Sequence, residues 1–487
     1  MSLRAPLFLL GLLVSIQALM MGIPATVDLL AGHPNWRAFA TSGVICLFVG
    51  VALAVTNLST VDDLRPRQAV FFIVMAWLCI GFFGAGPFYF SIWFLSPVDA
   101  IFESISGITT TGATVIEHLQ FQSKGLLLWR AMLQWVGGIG FVIMAASILP
   151  ALQIGGMQLF HLETSDRSEK IMPRADQIIK RIGLVYLLLT ILCIVGYALA
   201  GMSTFDAVAH ALTTVSTGGY STQNDSLAAF NSSLIEWWAI LFMVLGSLPF
   251  VLYARAFAQG PQVLAHDGQV RTMLLIMACG VGLCLVMLVQ LPPSQTGVDA
   301  QGLGLLRLIV FNIVSVMTGT GYASAAYDTW GAFAVPVFFF LMLLGGCAGS
   351  TTCGIKVFRL QVMFQTLTCQ LKKVSSPRMV AVPVFDGRPI GDDVVASVMG
   401  FFFLFATSLA ITAAALGLMG LDFLTCLSAA ASALANVGPG LGDLVGPAST
   451  YASLPDGAKW ILCVAMLLGR LEFLTFLALL TRRFWAR

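Results

Sequence analysis

The amino-acid sequence predicts an all-α integral membrane protein in which four similar repeats surround one pore. Of its 487 residues, 58% are hydrophobic and 10% are charged, a composition typical of multi-span membrane proteins. A Gly-containing segment also recurs four times. If Gly112, Gly219, Gly321 and Gly438 are equivalent, its intervals are 107, 102 and 117 residues. A near-constant interval indicates a fourfold internal repeat and therefore a pseudo-fourfold arrangement.

The repeats divide the chain into five parts. A two-helix hairpin is predicted at 1–60, and the four pore repeats follow at 61–155, 156–262, 263–380 and 381–487. Each repeat is expected to hold an outer helix, a short half-helix, the Gly-containing loop and an inner helix. This plan gives about ten membrane helices and four half-helices, which are too short to cross a hydrocarbon core of about 30 Å and must be re-entrant.

Asp99 and Asp206 lie near the start of the first two predicted half-helices, each 13 residues before the Gly of its loop. A carboxylate there can accept hydrogen bonds from free backbone amides, so both residues are predicted to be N-caps. The C-terminal end of each half-helix then points to the membrane centre. Its negative dipole end favours a cation at that place.

The four loops are rich in Thr, Ser and Gly, which are poor helix formers. Irregular backbone at membrane depth is tolerated where it is buried or lines water, and its carbonyl groups can then replace the hydration shell of a cation. Close helix packing is the alternative explanation of such small residues. The predicted coordinating set is Thr110, Thr111, Gly112, Thr217, Gly218, Gly219, Gly319, Thr320, Gly321, Asn436, Val437 and Gly438.

A second Gly-rich stretch interrupts the inner helix of the third repeat at 344–355. We expect an intramembrane gating loop there, because clustered Gly and Thr break a helix. Its predicted gate residues are Gly345, Gly346, Gly349, Ser350, Thr351 and Thr352. Arg470 is a further gate candidate, since a charge at membrane depth is costly and usually faces a cavity or a partner. Pairing with Glu472 is the purely structural alternative for this arginine.

The cationic residues predict the orientation in the membrane. With the helices assigned as above, 19 of 25 Lys and Arg residues fall on the side that also holds both termini. That side is therefore predicted to be cytoplasmic. The sizeable polar blocks at 151–180 and 372–393 lie on the same side.

Several stretches resemble the TrkH proteins of the Trk/Ktr/HKT superfamily of potassium transporters. They are 102–114 (FESISGITTTGAT), 133–141 (LQWVGGIGF), 215–220 (VSTGGY) and 436–442 (NVGPGLG). The resemblance covers nearly the whole chain. It implies potassium uptake across a bacterial inner membrane through a selectivity filter, with the broken third inner helix and Arg470 as the gate.

The resemblance also implies partners. They are a second copy of the chain, forming a homodimer in which each subunit has its own pore, the lipid bilayer, and a cytoplasmic TrkA-like regulatory ring that binds nucleotides. It implies no cofactor in this chain, no nucleic acid, and potassium as the transported ligand. Within the superfamily a Ser at the first filter Gly accompanies sodium transport, so Gly112 favours potassium. Gly319, where Thr is more usual, departs from the family pattern.

Two other functions remain open at this stage. A potassium-proton or potassium-sodium symporter would also use broken helices and a site at the membrane midplane. A membrane-embedded enzyme would use His118, His161 or His210 with nearby carboxylates, although the sequence shows no paired catalytic spacing. Flux that is uncoupled from a proton gradient distinguishes a channel from the symporter.

Overall fold

The computed structural model describes residues 3–58, 64–147, 175–291, 298, 301–385 and 387–485. Most of the first predicted polar block, 151–180, lies outside the described residues, as do His161 and the predicted boundaries at 60 and 155. Within the described part, the all-α membrane fold is confirmed. Its strands are Val384–Phe385 and Arg388–Pro389, which pair as a short antiparallel hairpin.

Seven helices among the described residues are long and apolar enough to cross a membrane, or up to nine if each of two sharply bent pairs counts as one span. The seven are Arg4–Leu30, Trp36–Thr56, Pro66–Tyr89, Lys124–Ala145, Ile179–Leu199, Gly268–Gln290 and Asp392–Gly417. The sequence predicted about ten membrane helices. That number included the third inner helix, which the structure divides into two pieces separated by a longer loop.

The N-terminal hairpin consists of Arg4–Met20, Gly22–Leu30 and Trp36–Thr56. Its helices approach closely, because a Cβ atom on Gly11 would lie 2.5 Å from the backbone nitrogen of Ala54. Buried Asp28 attaches the hairpin to the first repeat, accepting a 2.6 Å hydrogen bond from the amide of Gly125. The hairpin therefore holds the start of the first inner helix.

The four repeats follow in chain order. The outer helices are Pro66–Gly84, Ala175–Leu199, Gly268–Gln290 and Asp392–Gly417. The half-helices are Pro97–Ile108, Thr204–Val215, Leu303–Met317 and Phe423–Ala435. The inner helices begin with Lys124–Ser147, Ser233–Gly246, Ala334–Leu343 and Asp456–Arg470.

Shorter helices complete the bundle. The remaining α-helices of the described residues are Gly86–Tyr89, Phe250–Gln259, Gln262–His266, Val357–Ser375, Phe473–Leu480 and Arg482–Trp485. A 3-10 turn follows each loop, and these turns are Leu119–Phe121, Ser226–Phe230, Tyr327–Thr329 and Tyr451–Ser453. With 12 to 15 residues each, the half-helices are shorter than a membrane span.

The N-caps of the first two half-helices differ from the prediction, which was wrong for Asp99 and Asp206. Ser96 is the first cap, and its Oγ accepts a 3.1 Å hydrogen bond from the Asp99 amide. Ser203 accepts the same bond from Asp206. Each Asp side chain accepts a bond from its Ser hydroxyl in return. Both helices start earlier because each Ser hydroxyl satisfies one free amide of the first turn, and Pro97 also favours the start of the first helix.

Two inner helices are bent, where the sequence predicted continuous helices at 235–258 and 457–482. The second turns by 91° between Gly246 and Phe250, and the fourth by 112° between Arg470 and Phe473. Pro249 explains the first break, because proline lacks the amide that would continue the helix. The fourth break falls at Glu472, whose φ of +59° lies in the left-handed region.

Candidate functional site

The four Gly-containing loops have the same backbone pattern. In each loop the residue at the register glycine has positive φ, and so does the residue two positions before it. The earlier positions are Thr110 at 55°, Thr217 at 51°, Gly319 at 67° and Asn436 at 54°. The glycines are Gly112 at 86°, Gly219 at 75°, Gly321 at 78° and Gly438 at 107°. Gly319, the departure from the family pattern, thus occupies a position whose backbone conformation glycine adopts without strain.

The four loops close a ring through contacts between each glycine and the next loop. A Cβ atom on Gly112 would lie 2.2 Å from the carbonyl oxygen of Gly218. A Cβ atom on Gly219 would lie 1.8 Å from the carbonyl oxygen of Thr320. The same distance is 2.0 Å from Gly321 to the oxygen of Val437 and 2.7 Å from Gly438 to the oxygen of Thr111. Each repeat therefore abuts the following one, and the fourth returns to the first. All twelve predicted coordinating residues lie in the loops that form this ring.

The loops are fixed to the half-helices behind them. In the first repeat the carbonyl oxygen of Ser106 accepts a 2.9 Å hydrogen bond from Thr111, and its hydroxyl donates a 2.6 Å bond to the carbonyl of Ala113. Thr213, Ser315 and Ser432, which are also six positions before their glycines, accept the equivalent backbone bond. Tying amides to the half-helix in every repeat fixes the course of each loop.

A polar cavity opens outside the ring, on the side of the 3-10 turns. Its volume is about 540 Å³, and all four ring glycines contribute to its wall. Glu117 and Asp225 line it together with Arg130. Within the described ranges no group of three or more His, Cys, Asp or Glu side chains is arranged to hold a metal ion. The backbone carbonyl groups of the ring are of the kind that can replace the hydration shell of a cation.

The second Gly-rich stretch runs between the two pieces of the third inner helix. Its ends are joined, since Gly345 donates a 2.9 Å hydrogen bond to the carbonyl of Ile355. Inside the loop, the hydroxyl of Ser350 lies 2.7 Å from that of Thr352, and the latter accepts a bond from the Gly346 amide. The loop residues Ser350, Thr351 and Thr352 are fully buried. This stretch is an ordered loop rather than a continuation of the helix.

The loop contacts both the second inner helix and the ring. Gly349 accepts a 2.9 Å hydrogen bond from the Phe250 amide, just after the 91° bend. Thr351 donates a 2.9 Å bond from its hydroxyl to the carbonyl of Gly246, and it accepts a 3.1 Å bond from the hydroxyl of Thr217. The bend in the second inner helix thus provides the surface that receives the loop next to the second ring segment.

Arg470 ends the straight part of the fourth inner helix and is fully buried. Its guanidinium donates 3.0 Å hydrogen bonds to the carbonyl oxygens of Thr351 and Gly137, and it lies 2.8 Å from the Sγ atom of Cys353. It also lies 4.3 Å from the centre of the Phe141 ring. Arg470 therefore joins the first inner helix, the fourth inner helix and the loop.

Glu472 does not pair with Arg470. Its carboxylate instead accepts a 2.6 Å hydrogen bond from Arg359, which lies on the helix that follows the loop. The Arg359 guanidinium stacks 3.6 Å over the ring of Phe401. This buried ion pair couples the second piece of the interrupted third inner helix to the break in the fourth.

Glu103, Arg130 and Gln134 are polar residues beside the ring that the sequence reasoning did not select. All three are buried, and Glu103 forms a 2.7 Å ion pair with Arg130. A charge inside an apolar segment was the available signal for the first two, because such charges are rare and usually partnered. For Gln134 the available signal was its place in the stretch 133–141, which resembles the TrkH proteins, but its contacts depend on tertiary packing.

Of the three histidines that a membrane-embedded enzyme would use, the structure describes His118 and His210. His210 lies in the second half-helix, with Nδ1 at 2.9 Å from the Asp206 carbonyl and Nε2 at 3.0 Å from the Ser221 hydroxyl. His118 precedes the first 3-10 turn and lies at the wall of the outer cavity. The structure does not bring these two rings together in one hydrogen-bonded group with a carboxylate.

The fold and the ring define a class: multi-span membrane proteins in which four similar loops meet in a ring. A sequence profile of the TrkH family, described as "Cation transport protein", matches residues 36–484. The chain therefore belongs to the TrkH family of cation transport proteins.

Individual relatives agree with that assignment. The Trk system potassium uptake protein TrkI of Halomonas elongata is 42% identical, covering 98% of this chain and 96% of its own. The Trk system potassium uptake protein TrkH of Vibrio parahaemolyticus is 35% identical over the full length of both chains. The crystal structure of the potassium transporter TrkH from Vibrio parahaemolyticus is similar over the whole of both chains, with a TM-score of 0.91 at 33% sequence identity.

Proposed function

We propose that this protein takes up potassium across the bacterial inner membrane through a channel-like selectivity filter. The ring of four loops carries the proposal, because each ring glycine faces the carbonyl oxygen of the following loop. Thr111, Gly218, Thr320 and Val437 supply these oxygens. Such carbonyl groups can replace the hydration shell of a potassium ion, and the C-terminal ends of the half-helices add negative potential. The names of the relatives, Trk system potassium uptake proteins, support the choice of ion.

The gate in this proposal is the loop of the third inner helix together with Arg470. Thr351 is at its centre, because this residue contacts the second filter loop, the second inner helix and Arg470. A buried arginine next to a cation path raises the electrostatic barrier to a passing cation. Opening then requires the loop to separate from the filter and the guanidinium to move away from the cation path.

The proposed assembly is a homodimer in the lipid bilayer with both termini in the cytoplasm. A cytoplasmic TrkA-like ring binds nucleotides and regulates the gate, while this chain binds neither a nucleotide nor another cofactor. The relatives' designation as parts of a Trk system supports a multi-component transporter. The polar stretch 372–393, whose described residues include the short β-hairpin, is the one that we assign to that partner.

Uptake of rubidium, as a potassium analogue, into proteoliposomes holding the purified chain tests the function. We expect uptake driven by a potassium gradient from inside to outside, undiminished when no proton gradient is imposed and when sodium is absent. Empty liposomes are the control. Uptake that requires a proton or sodium gradient would favour the symporter, and absence of uptake under every gradient would contradict the proposal.

A further inference from the structure

The first inner helix presents two polar side chains to the second filter loop. Arg130 and Gln134 are one helical turn apart, so they lie on the same face of Lys124–Ser147. Both are almost completely buried, at 1% and 0% exposure. They belong to the first repeat, yet their main backbone contacts are in the second. With Glu103 of the first half-helix they form a group that we call the bracket.

Arg130 connects the segments that follow the first and second filter loops. Its Nε donates a 2.7 Å bond to Glu103, and its two terminal nitrogens donate to the carbonyl of Ser221 and the hydroxyl of Thr114. Its guanidinium also stacks 3.9 Å from the centre of the Tyr220 ring. The planar guanidinium can satisfy several directions at once, which makes it a rigid link.

Glu103 holds the first loop from behind, accepting a 2.9 Å bond from the Val115 amide and bonds from the Thr114 hydroxyl. The hydroxyl of Tyr220, in the second repeat, donates hydrogen bonds to the carbonyls of Glu103 and Ala113 in the first repeat. The two loops are therefore cross-linked by charged and neutral hydrogen bonds outside the ring. The bonds of the Thr114 hydroxyl are partly buried and the others are buried, where electrostatic interactions are strong.

Gln134 binds the ring itself. Its Nε2 donates a 2.5 Å bond to the carbonyl oxygen of Gly218, and its Oε1 accepts a 3.1 Å bond from the Tyr220 amide. The Gly218 oxygen is the one that faces Gly112. The side-chain amide thus fixes the position of one ring carbonyl and polarises it.

The bracket is a feature of one corner of the pseudo-fourfold ring. The residues nine positions before the ring glycines are Glu103, His210, Asn312 and Ala429. His210 contacts the Ser221 hydroxyl, and Asn312 bonds the Ser324 amide and hydroxyl. Three repeats therefore use a polar side chain at this position to hold the segment after the loop. The carboxylate, Glu103, is in the first repeat.

We propose that the bracket sets the preference of the filter for potassium over sodium by fixing the Gly218 carbonyl. The inference rests on the proposed filter function. Sodium is the smaller ion, so carbonyl groups must move inward to coordinate it, whereas fixed carbonyls keep the wider ring that suits potassium. Glu103, Arg130 and Gln134 are positioning residues, since they act on the ion through the ring.

The test compares Glu103→Gln and Gln134→Met with the wild type by rubidium and sodium uptake in proteoliposomes. Both replacements have nearly the volume of the native side chain. We expect the ratio of rubidium uptake to sodium uptake to fall about tenfold in each variant. A change of this size is expected from the loss of one hydrogen bond that involves a charged or strongly held group. The uptake ratio of Arg130→Lys should lie between the ratios of these variants and that of the wild type, because lysine keeps the charge but loses the contacts of the planar guanidinium.

The ratio is chosen because a merely structural role would reduce the amount of active protein and leave the ratio unchanged. Glu236→Gln is the matched control, since it neutralises the Glu236–Arg307 ion pair of 2.9 Å, which lies away from the ring. If Glu103→Gln does not fold, Gln134→Met alone decides. An unchanged ratio in the folded variants, with potassium-selective wild type, overturns the bracket and leaves the filter standing. Absence of rubidium uptake by the wild type overturns both.

Discussion

Arg470 donates a 3.0 Å hydrogen bond to the carbonyl oxygen of Thr351, which joins the end of the fourth inner helix to the loop of the third. Thr351 in turn accepts a hydrogen bond from Thr217 of the second filter loop. The proposed gate therefore contacts the proposed filter directly, through the Thr351–Thr217 bond. A change at Arg470 can affect conduction through Thr351, although Arg470 itself bonds no residue of the coordinating set.

Arg470→Ala should raise rubidium uptake by about tenfold, equivalent to lowering the barrier by ~1.4 kcal/mol. The variant removes a buried positive charge and the two bonds that hold the loop and the first inner helix. Uptake into proteoliposomes at a fixed potassium gradient measures the effect. Arg37→Ala, at an exposed residue of the N-terminal hairpin, is the control and should match the wild type. Equal uptake by Arg470→Ala and the wild type would exclude the arginine as a barrier.

Thr351→Val tests the loop without changing a charge. The replacement keeps the side-chain shape but loses the hydroxyl bonds to Gly246 and Thr217, while the backbone bond from Arg470 remains. We expect a severalfold rise in rubidium uptake, because the loop is held less firmly against the filter. Thr368→Val is the matched control, since its hydroxyl bonds its own helix at Phe364. A fall in uptake would show that the loop supports conduction instead of limiting it.

Gly112→Ser should lower the preference for rubidium over sodium by at least about tenfold. A side chain there must adopt a φ of +86°, and its Cβ would lie 2.2 Å from the Gly218 carbonyl, so the ring has to deform. Competition of sodium with rubidium uptake measures the preference. Gly140→Ser is the control, because no heavy atom lies within 4 Å of its added Cβ. A preserved preference in folded Gly112→Ser would argue that the four loops are packing elements.

The sequence allowed the four loops and their spacing to be predicted because their chemistry is local. A Gly in each loop follows from the positive φ that the loop needs, and a re-entrant half-helix follows from its length. Arg470 could be selected for the same reason, as a charge within an apolar segment. Its contacts with Gly137 and Thr351 join residues more than a hundred positions apart, which no local pattern encodes.

The errors also have physical causes. Ser96 and Asp99 are both good cap residues, and the choice between them depends on Pro97, which starts the helix earlier. Glu472 lies two positions from Arg470, but the break between them directs its carboxylate to Arg359. The bracket was missed because Gln134 gains its role from a carbonyl 84 residues away in sequence.

Glu472→Gln should destabilise the folded protein by about 3 kcal/mol or more, because it removes the carboxylate from the buried Arg359–Glu472 ion pair. Thermal unfolding in detergent micelles, monitored by size-exclusion chromatography, measures the loss. Glu236→Gln is a useful comparison, since its partner Arg307 is partly exposed and the same neutralisation should cost less. Similar shifts in the two variants would contradict the importance of burial at the Arg359–Glu472 pair.

Asp328→Asn should make stability less dependent on pH. Asp328 lies in the connection after the third filter loop, and burial raises the pKa of its carboxyl even though the Gly442 amide donates a 3.1 Å bond to it. The folded state therefore binds the proton more tightly than the unfolded state. This contribution to stability is present below the ordinary Asp pKa and is lost as pH rises through the raised pKa.

The measurement for Asp328 is the unfolding temperature in micelles between about pH 4 and pH 8. The wild type should lose stability over the lower part of this range relative to Asp328→Asn, which cannot ionise. Asp225→Asn, at an exposed residue that also lines the outer cavity, is the control and should follow the wild type. If instead Asp328→Asn lost stability relative to the wild type as pH rises, the ionised carboxylate would be the stabilising form. The Gly442 hydrogen bond would then outweigh the cost of burying the charge.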